Sequence, residues 1–476
     1  MKVLFASSEA TPFAVSGGLA EVAGALPKAL MEKEDMDVRV ILPLYECVKP
    51  EQRQEMTFLF NFDVAVSWRR QYCGVFEAKV GKVTYYLIDN EYYFKRSGLY
   101  GYFDDAERYA FFSRAVLDVV GRLEGFKPDI IHCNDWQTAL IPLYYNCIYK
   151  DLPGYENIRT VYTIHNIQYQ GVYGMDVLNE VVGIDPSDYS LIEYDGCANF
   201  SKAAVECCNK VSTVSPTYAN EILDPWFSHG LDGILHKNYW KLTGILNGID
   251  VESYDPHTDP ALKYHYSQAR KTNKAKCKEE LEDMYGFEHK PEVPIISLIS
   301  RLVSHKGLDL ITAIVDELLN TTEVRFIVLG SGDQAYEDYF KGVAARHPDK
   351  FRLELGFRPA LSRQIYAGSD IFLMPSKSEP CGLSQMIALR YGTIPIVRET
   401  GGLKDSVSDC GDGIGNGFTF KTYNAHDMLW AITRSIDMFY NDKKGWKDLV
   451  NRAMKCDNSW NKSADVYIQM YKEACM

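Results

Sequence analysis

The chain contains no CxxC pair, and its 12 cysteines are scattered apart from the adjacent Cys207 and Cys208. That excludes a zinc ribbon or a disulfide framework and leaves reduced, buried thiols. No apolar run approaches the ~20 residues that span a bilayer. The opening "MKVLFASSEATPF" has too short an apolar part for a signal peptide and reads as a first strand. A cytoplasmic location with no membrane partner is expected. Positive charge is also scarce: 51 Lys and Arg against 64 Asp and Glu give a net −13. Without a basic face, nucleic acid is not an expected partner, and cations serving any anionic substrate must be concentrated locally. There is no low-complexity segment, no short repeat and no His/Cys/carboxylate cluster at metal-ligand spacing, so neither metal nor cofactor is expected.

What is present is a long chain of 476 residues, 46% hydrophobic and 24% charged, which implies two or three globular domains. Short apolar runs alternate with helix-period segments. "KVLFAS", "DVRVILPL", "VTYYLID", "DIIHCND", "TVYTIHN" and "KVSTVS" are strand candidates in the first half. "PIISLIS", "VRFIVLGSG", "FRLELGF", "DIFLMPS" and "IPIVRET" follow in the second. Strands that are apolar almost throughout, separated by helices such as "GLDLITAIVDELL", mean parallel sheets covered on both faces. The pattern runs twice, and the junction falls close to Asn247-Gly248. Ligands of such sheets bind beyond the carboxyl ends of the strands, so the residues following each strand carry the chemistry.

Six strand ends are informative. After "KVLFAS" comes Ser16-Gly17-Gly18 and a helical pattern, the layout of a phosphate-binding turn, yet Val15 precedes it and no cation lies within it. After "PIISLIS", Arg301 and Lys306 could meet an anion; a solvated turn is the bland alternative. Glu379 follows "DIFLMPS", and Thr400-Gly401-Gly402 repeats the strand, double-glycine, helix arrangement. In "HCNDWQTAL" and "TIHNIQYQG", Asp135 and His165 are candidates for touching substrate, against the alternative of satisfied turn residues. Two further patterns are set aside. "VLGSGDQA" has dinucleotide-fingerprint spacing with Glu354 downstream, but it opens the middle of a domain. "DMD" at Asp35 to Asp37 precedes a strand, the wrong end for a metal.

Together "VSGGLAEV", "HCNDW", "TIHN", "ILNGID", "ISRLVSHKG", "SEPCGLSQ" and "TGGL" resemble the bacterial glycogen synthase and plant starch synthase family, essentially end to end. The resemblance implies an α/β protein of GT-B fold, two Rossmann-like doubly wound domains facing across a cleft. The first would be residues 1–246, completed by a C-terminal helix at about 458–476, and the second, the donor domain, 247–457. It implies a retaining glucosyltransferase using ADP-glucose as donor and the non-reducing end of an α-1,4-glucan (glycogen, starch or a maltooligosaccharide) as acceptor. The family's diphosphate-binding cations fall on Arg301 and Lys306, its essential glutamate on Glu379 and its sugar-contacting histidine on His165. Asp135 and Asn247 match pocket positions. Ser16, Gly17 and Gly18, with Thr400, Gly401 and Gly402, match the donor turns, and Cys381, Gly382 and Leu383 adjoin the glutamate. The family's base-stacking tyrosine appears as Phe357. Its N-terminal loop usually carries lysine where this chain has Val15, so the charge on the donor phosphates is expected from Arg301 and Lys306. Transfer from UDP-glucose, relaxed donor preference and a catalytically weak glucan-binding or priming protein are the alternatives.

Overall fold

The computed structural model describes every residue except Phe357. The chain divides into two compact units, Met1–Asn247 with Trp460–Met476, and Gly248–Ser459.

The first unit is built on a nine-stranded sheet. Its order is Leu242–Gly244, Lys210–Thr213, Arg159–Ile164, Ile130–Asn134, Lys2–Ala6, Asp37–Pro43, Val83–Asp89, Arg69–Val80, Thr57–Val66. The first seven run parallel. Val3, Leu4, Phe5 and Ala6 are all 0% exposed, as apolar strands covered on both faces must be. Lys2–Ala6 pairs with Asp37–Pro43 on one side and Ile130–Asn134 on the other, so strand order reverses between Lys2–Ala6 and Ile130–Asn134. That reversal opens a crevice at the strands' carboxyl ends.

The last two strands form an antiparallel hairpin, which the search for apolar runs does not find. The reason is physical: Thr57–Val66 is an edge strand that alternates, with Phe58 47% exposed while Val64 and Val66 are 0%. A one-sided strand reads as mixed polarity rather than as an apolar run. A small antiparallel sheet, Val172–Tyr173, Cys197–Asn199 and Glu193–Tyr194, leaves no run either, because its strands are only two or three residues long.

The helix Trp460–Cys475 belongs to the first unit. Its Tyr471 hydroxyl lies 2.8 Å from Nδ1 of His132 on the central sheet, while Lys33–Asp465 and Lys210–Glu473 ion pairs hold its outer face. His132 is fully buried, and burial lowers its pKa to about 3, so it is neutral.

The second unit holds a six-stranded, wholly parallel sheet. Its order is Phe351–Leu355, Arg325–Gly330, Ile295–Ile299, Ile371–Met374, Ile394–Arg398, Phe418–Phe420. Order reverses between Ile295–Ile299 and Ile371–Met374. Among the described residues, no helix is long and apolar enough to cross a membrane.

Candidate functional site

In the second unit the two segments leaving the reversal point are Ser300–Lys306 and Pro375–Glu379, and they meet. The turn Ser304–Lys306 ends at Gly307, whose φ of +74° favours glycine. A side-chain carbon on Gly307 would lie 2.0 Å from the Pro375 carbonyl oxygen, so glycine is what lets the two segments touch. The main chain closes the contact through Lys377 N–H donating to His305 O at 2.9 Å.

This approach places Lys306 Nζ 2.7 Å from Glu379 Oε2, which also accepts from Ser376 Oγ at 2.9 Å. Glu379 is only 7% exposed, and a carboxylate so enclosed needs such partners. One oxygen is thus committed. The other, Oε1, has no partner among the described residues and is not sealed from solvent, which leaves an acceptor for an incoming hydroxyl. Arg301 is exposed and has no ion-pair partner among the described residues. Burial lowers the pKa of His305, and the Lys306 and Arg301 charges lower it further, so its imidazole is neutral between two cations.

The turn Thr400-Gly401-Gly402 packs on the backbone that carries Glu379. Gly402 N–H donates to the carbonyls of Glu379 (3.2 Å) and Pro380 (3.1 Å). Side-chain carbons on Gly401 and Gly402 would lie 2.0 Å from Glu379 O and 2.2 Å from Cys381 O. Thr400 and Cys381 are buried. Gly382 sits at φ +72°, and Gln385 Nε2 donates to the carbonyls of Cys381 and Gly382, at 3.1 and 2.8 Å. Leu383 begins the next helix, Ser384–Arg390.

In the first unit the corresponding segments follow Lys2–Ala6 and Ile130–Asn134. Ser16, Gly17 and Gly18 are exposed, and a side-chain carbon on either glycine would meet nothing within 4 Å. Gly17 is the N-cap of the helix Gly18–Met31 and carries no side-chain cap, so the first N–H groups of that helix stay available. The loop is held by Glu9, 3% exposed, whose Oε2 accepts the Ser16 N–H at 2.6 Å. Burial raises the Glu9 pKa, and the hydrogen bonds from Ser16 oppose that rise. Val15 is 52% exposed.

Asp135 adopts φ +56°, a strained value for a non-glycine residue, and its Oδ1 accepts the main-chain N–H of His165 at 2.7 Å. Burial pushes its carboxyl up to about 7, and the nearby Glu9 charge adds to the rise. His165 Nε2 lies 2.9 Å from Asn134 Oδ1, and burial holds the imidazole neutral with a pKa of about 3.

The structure therefore gathers Arg301, Lys306 and Glu379 in one unit; in the other it puts Asp135 at the reversal point, where the Ser16-Gly17-Gly18 turn also begins a helix, and His165 beside it at the end of the next strand. Asn247, which is buried with no partner for Oδ1 among the described residues, ends the first unit. Phe357 lies outside the described residues. Glu9, Asn134 and Ser376 escape sequence reasoning, although Glu9 and Ser376 also follow strands and were open to the strand-end rule. The fingerprint-like "VLGSGDQA" is a packing motif. Gly330 and Gly332 abut the carbonyl oxygens of Ser300 and Leu302, and Gly332 N–H is taken by Glu337 Oε1. Among the described residues, no group of three or more His, Cys, Asp and Glu side chains could hold a metal ion.

Comparison with known proteins identifies the family. A family model described as the starch synthase catalytic domain matches residues 2–237, and one for glycosyl transferases group 1 matches residues 281–453. A glycogen synthase from Clostridium acetobutylicum is 48% identical over 476 residues, 99% of each chain. The chain belongs to the glycogen and starch synthase family. A second glycogen synthase, from Desulforamulus reducens, is 47% identical over 99% of this chain and 98% of the relative. The catalytic domain of starch synthase IV from Arabidopsis thaliana, solved with ADP and acarbose bound, superposes with a TM-score of 0.91 at 35% identity. That match covers 100% of this synthase and 99% of the other chain. A sucrose-phosphate synthase from Thermosynechococcus elongatus shares the fold alone, with a TM-score of 0.61 at 15% identity. This synthase thus has the GT-B fold and is a glycosyltransferase of glycogen or starch synthesis.

Proposed function

We propose that this synthase transfers glucose from ADP-glucose to the non-reducing end of an α-1,4-glucan with retention of configuration. The observation that carries the reading is the 2.7 Å Lys306–Glu379 pair, with exposed Arg301, at the order reversal of a parallel sheet. The nucleotide is supported by the ADP bound to the starch synthase IV relative.

Transfer breaks the bond between the anomeric carbon and the diphosphate oxygen, and negative charge builds on the leaving diphosphate. Arg301 and Lys306 supply fixed positive charge to it, the dominant need of such a step. The N–H groups at the start of the helix Gly18–Met31 offer further donors to an anion. Glu379 keeps Lys306 oriented through Oε2, and Oε1 takes a sugar hydroxyl and faces the positive charge developing on the ring. His165 and Asp135 orient the glucosyl unit. The acceptor hydroxyl attacks from the face the diphosphate leaves, its oxygen bonds the anomeric carbon, and its proton passes to the departing phosphate.

Initial rates with ADP-glucose and UDP-glucose, glycogen as acceptor, test the reading. A clear preference for ADP-glucose and an α-anomeric product are expected. Equal rates would support relaxed donor use. Absence of transfer from either donor would support a binding or priming protein.

A further inference from the structure

We propose that Asn134 is a positioning residue that locks His165 in its Nε2–H tautomer, so that Nδ1 can only accept a hydrogen from a sugar hydroxyl. The proposal rests on the reading of His165 as a sugar contact.

The argument begins with the amide of Asn134. Its Nδ2 donates to two main-chain carbonyls, Ala6 O at 3.0 Å and His132 O at 3.3 Å. Carbonyl oxygens accept only, so these two bonds fix which way the amide points, and Oδ1 must be the atom facing His165. Oδ1 likewise accepts only. The ring nitrogen 2.9 Å away, Nε2, must therefore carry the hydrogen. Burial keeps this imidazole neutral, so the second nitrogen holds a lone pair. Nδ1 has no partner among the described residues, and it is not among the buried atoms left without one. It is open to whatever enters the crevice.

Asn134 is 0% exposed and sits at the end of the strand Ile130–Asn134, one residue before Asp135. The His165 main chain is held by Asp135 at 2.7 Å and its ring by Asn134 at 2.9 Å, so two consecutive residues fix both ends of one side chain. The chemical consequence is selectivity. A neutral imidazole free to flip tautomer could either donate or accept, whereas this one demands a hydrogen donor. It favours a hydroxyl and rejects a fluorine at the same sugar position.

The test is a long-range proton–nitrogen spectrum of the full chain, with the His165 signals assigned by their loss in His165→Gln. The wild type should show neutral His165 with Nε2 protonated. Asn134→Leu should give a tautomer mixture and lower kcat/KM for ADP-glucose by about tenfold, the worth of one hydrogen bond. A wild-type spectrum showing Nδ1 protonated, or mixed tautomers, overturns the proposal, and it stands as a test even if Asn134→Leu does not fold. A tautomer unchanged in folded Asn134→Leu overturns it as well. A tautomer change without any kinetic change leaves Asn134 as the lock and overturns the reading of His165 as a sugar contact.

Discussion

Two double-glycine turns, Ser16-Gly17-Gly18 and Thr400-Gly401-Gly402, read alike in the sequence, each between a strand and a helix. Their surroundings differ. A side-chain carbon would meet nothing within 4 Å at Gly17 or Gly18, yet would lie 2.0 and 2.2 Å from carbonyl oxygens at Gly401 and Gly402. The second turn is glycine because protein backbone occupies the space. At the first, the space is empty, and backbone crowding does not explain the pair. One motif therefore serves two purposes: in the second unit it sets the backbone that carries Glu379, and in the first it leaves helix N–H groups reachable. The units contrast in charge too. Arg301 and Lys306 are cations, whereas Glu9 and Asp135 are buried acids whose pKa values are raised.

The largest effect is expected where the packed turn is disturbed. Gly401→Ala introduces a carbon into backbone at a φ of +43° and should lower unfolding free energy by on the order of 4 kcal/mol, with loss of transfer as Glu379 shifts. Chemical denaturation followed by circular dichroism, with activity in parallel, measures both. A fold of unchanged stability would mean that the two turns are alike after all.

Lys306→Ala should leave the turn intact and lower kcat by roughly 10²–10³, the usual cost of deleting one charge-stabilising donor. Steady-state rates with glycogen decide it. A change confined to donor KM would place Lys306 in ground-state binding.

The acidic side of the contrast is tested through pH. Asp135 titrates near 7 in the folded chain, above its ordinary 3.8. Folding therefore raises its proton affinity, and its contribution to stability is full below about 4 and lost as pH rises through about 7. Relative to Asp135→Asn, the wild type should lose stability across that window. Melting temperatures of both proteins from pH 4 to pH 8 give the difference, and parallel curves would contradict the assignment.

The smallest effects belong to the open turn. Gly17→Ala should change stability by no more than about 0.5 kcal/mol while raising donor KM. Val15→Lys should tighten donor binding by about 1 kcal/mol, more at low salt, because the added contact is electrostatic and partly exposed. Donor kinetics at two ionic strengths separate this from a lysine drawn to the Glu9 carboxylate, which would leave KM unchanged.

Most of the parallel strands are legible because burial on both faces writes continuous apolar runs, as in "KVLFAS", whereas the three-residue edge strands Leu242–Gly244 and Phe418–Phe420 are too short to write one. The hairpin Thr57–Val80 is not legible either, since a strand wet on one side dilutes its own signal with polar residues. For the site, strand-end position draws attention to Lys306 and Glu379, but 73 residues separate them in the chain. Only sheet order, which local patterning does not contain, shows that their segments leave adjacent strands. Asn134 was passed over for a related reason: its role depends on hydrogen-bond direction, and direction is set by the carbonyls of Ala6 and His132 rather than by any spacing.

The 2.8 Å contact between Tyr471 and His132 has a consequence for how the molecule is made. Residues 1–247 leave the ribosome with one face of their sheet still waiting for the helix Trp460–Cys475. The second unit is a continuous stretch and can fold as soon as Ser459 is clear of the exit tunnel, before its elder neighbour is finished. Until residues 460–476 arrive, His132 and the apolar strands beside it lack a cover on that face. The order of assembly is thus the reverse of the order of synthesis.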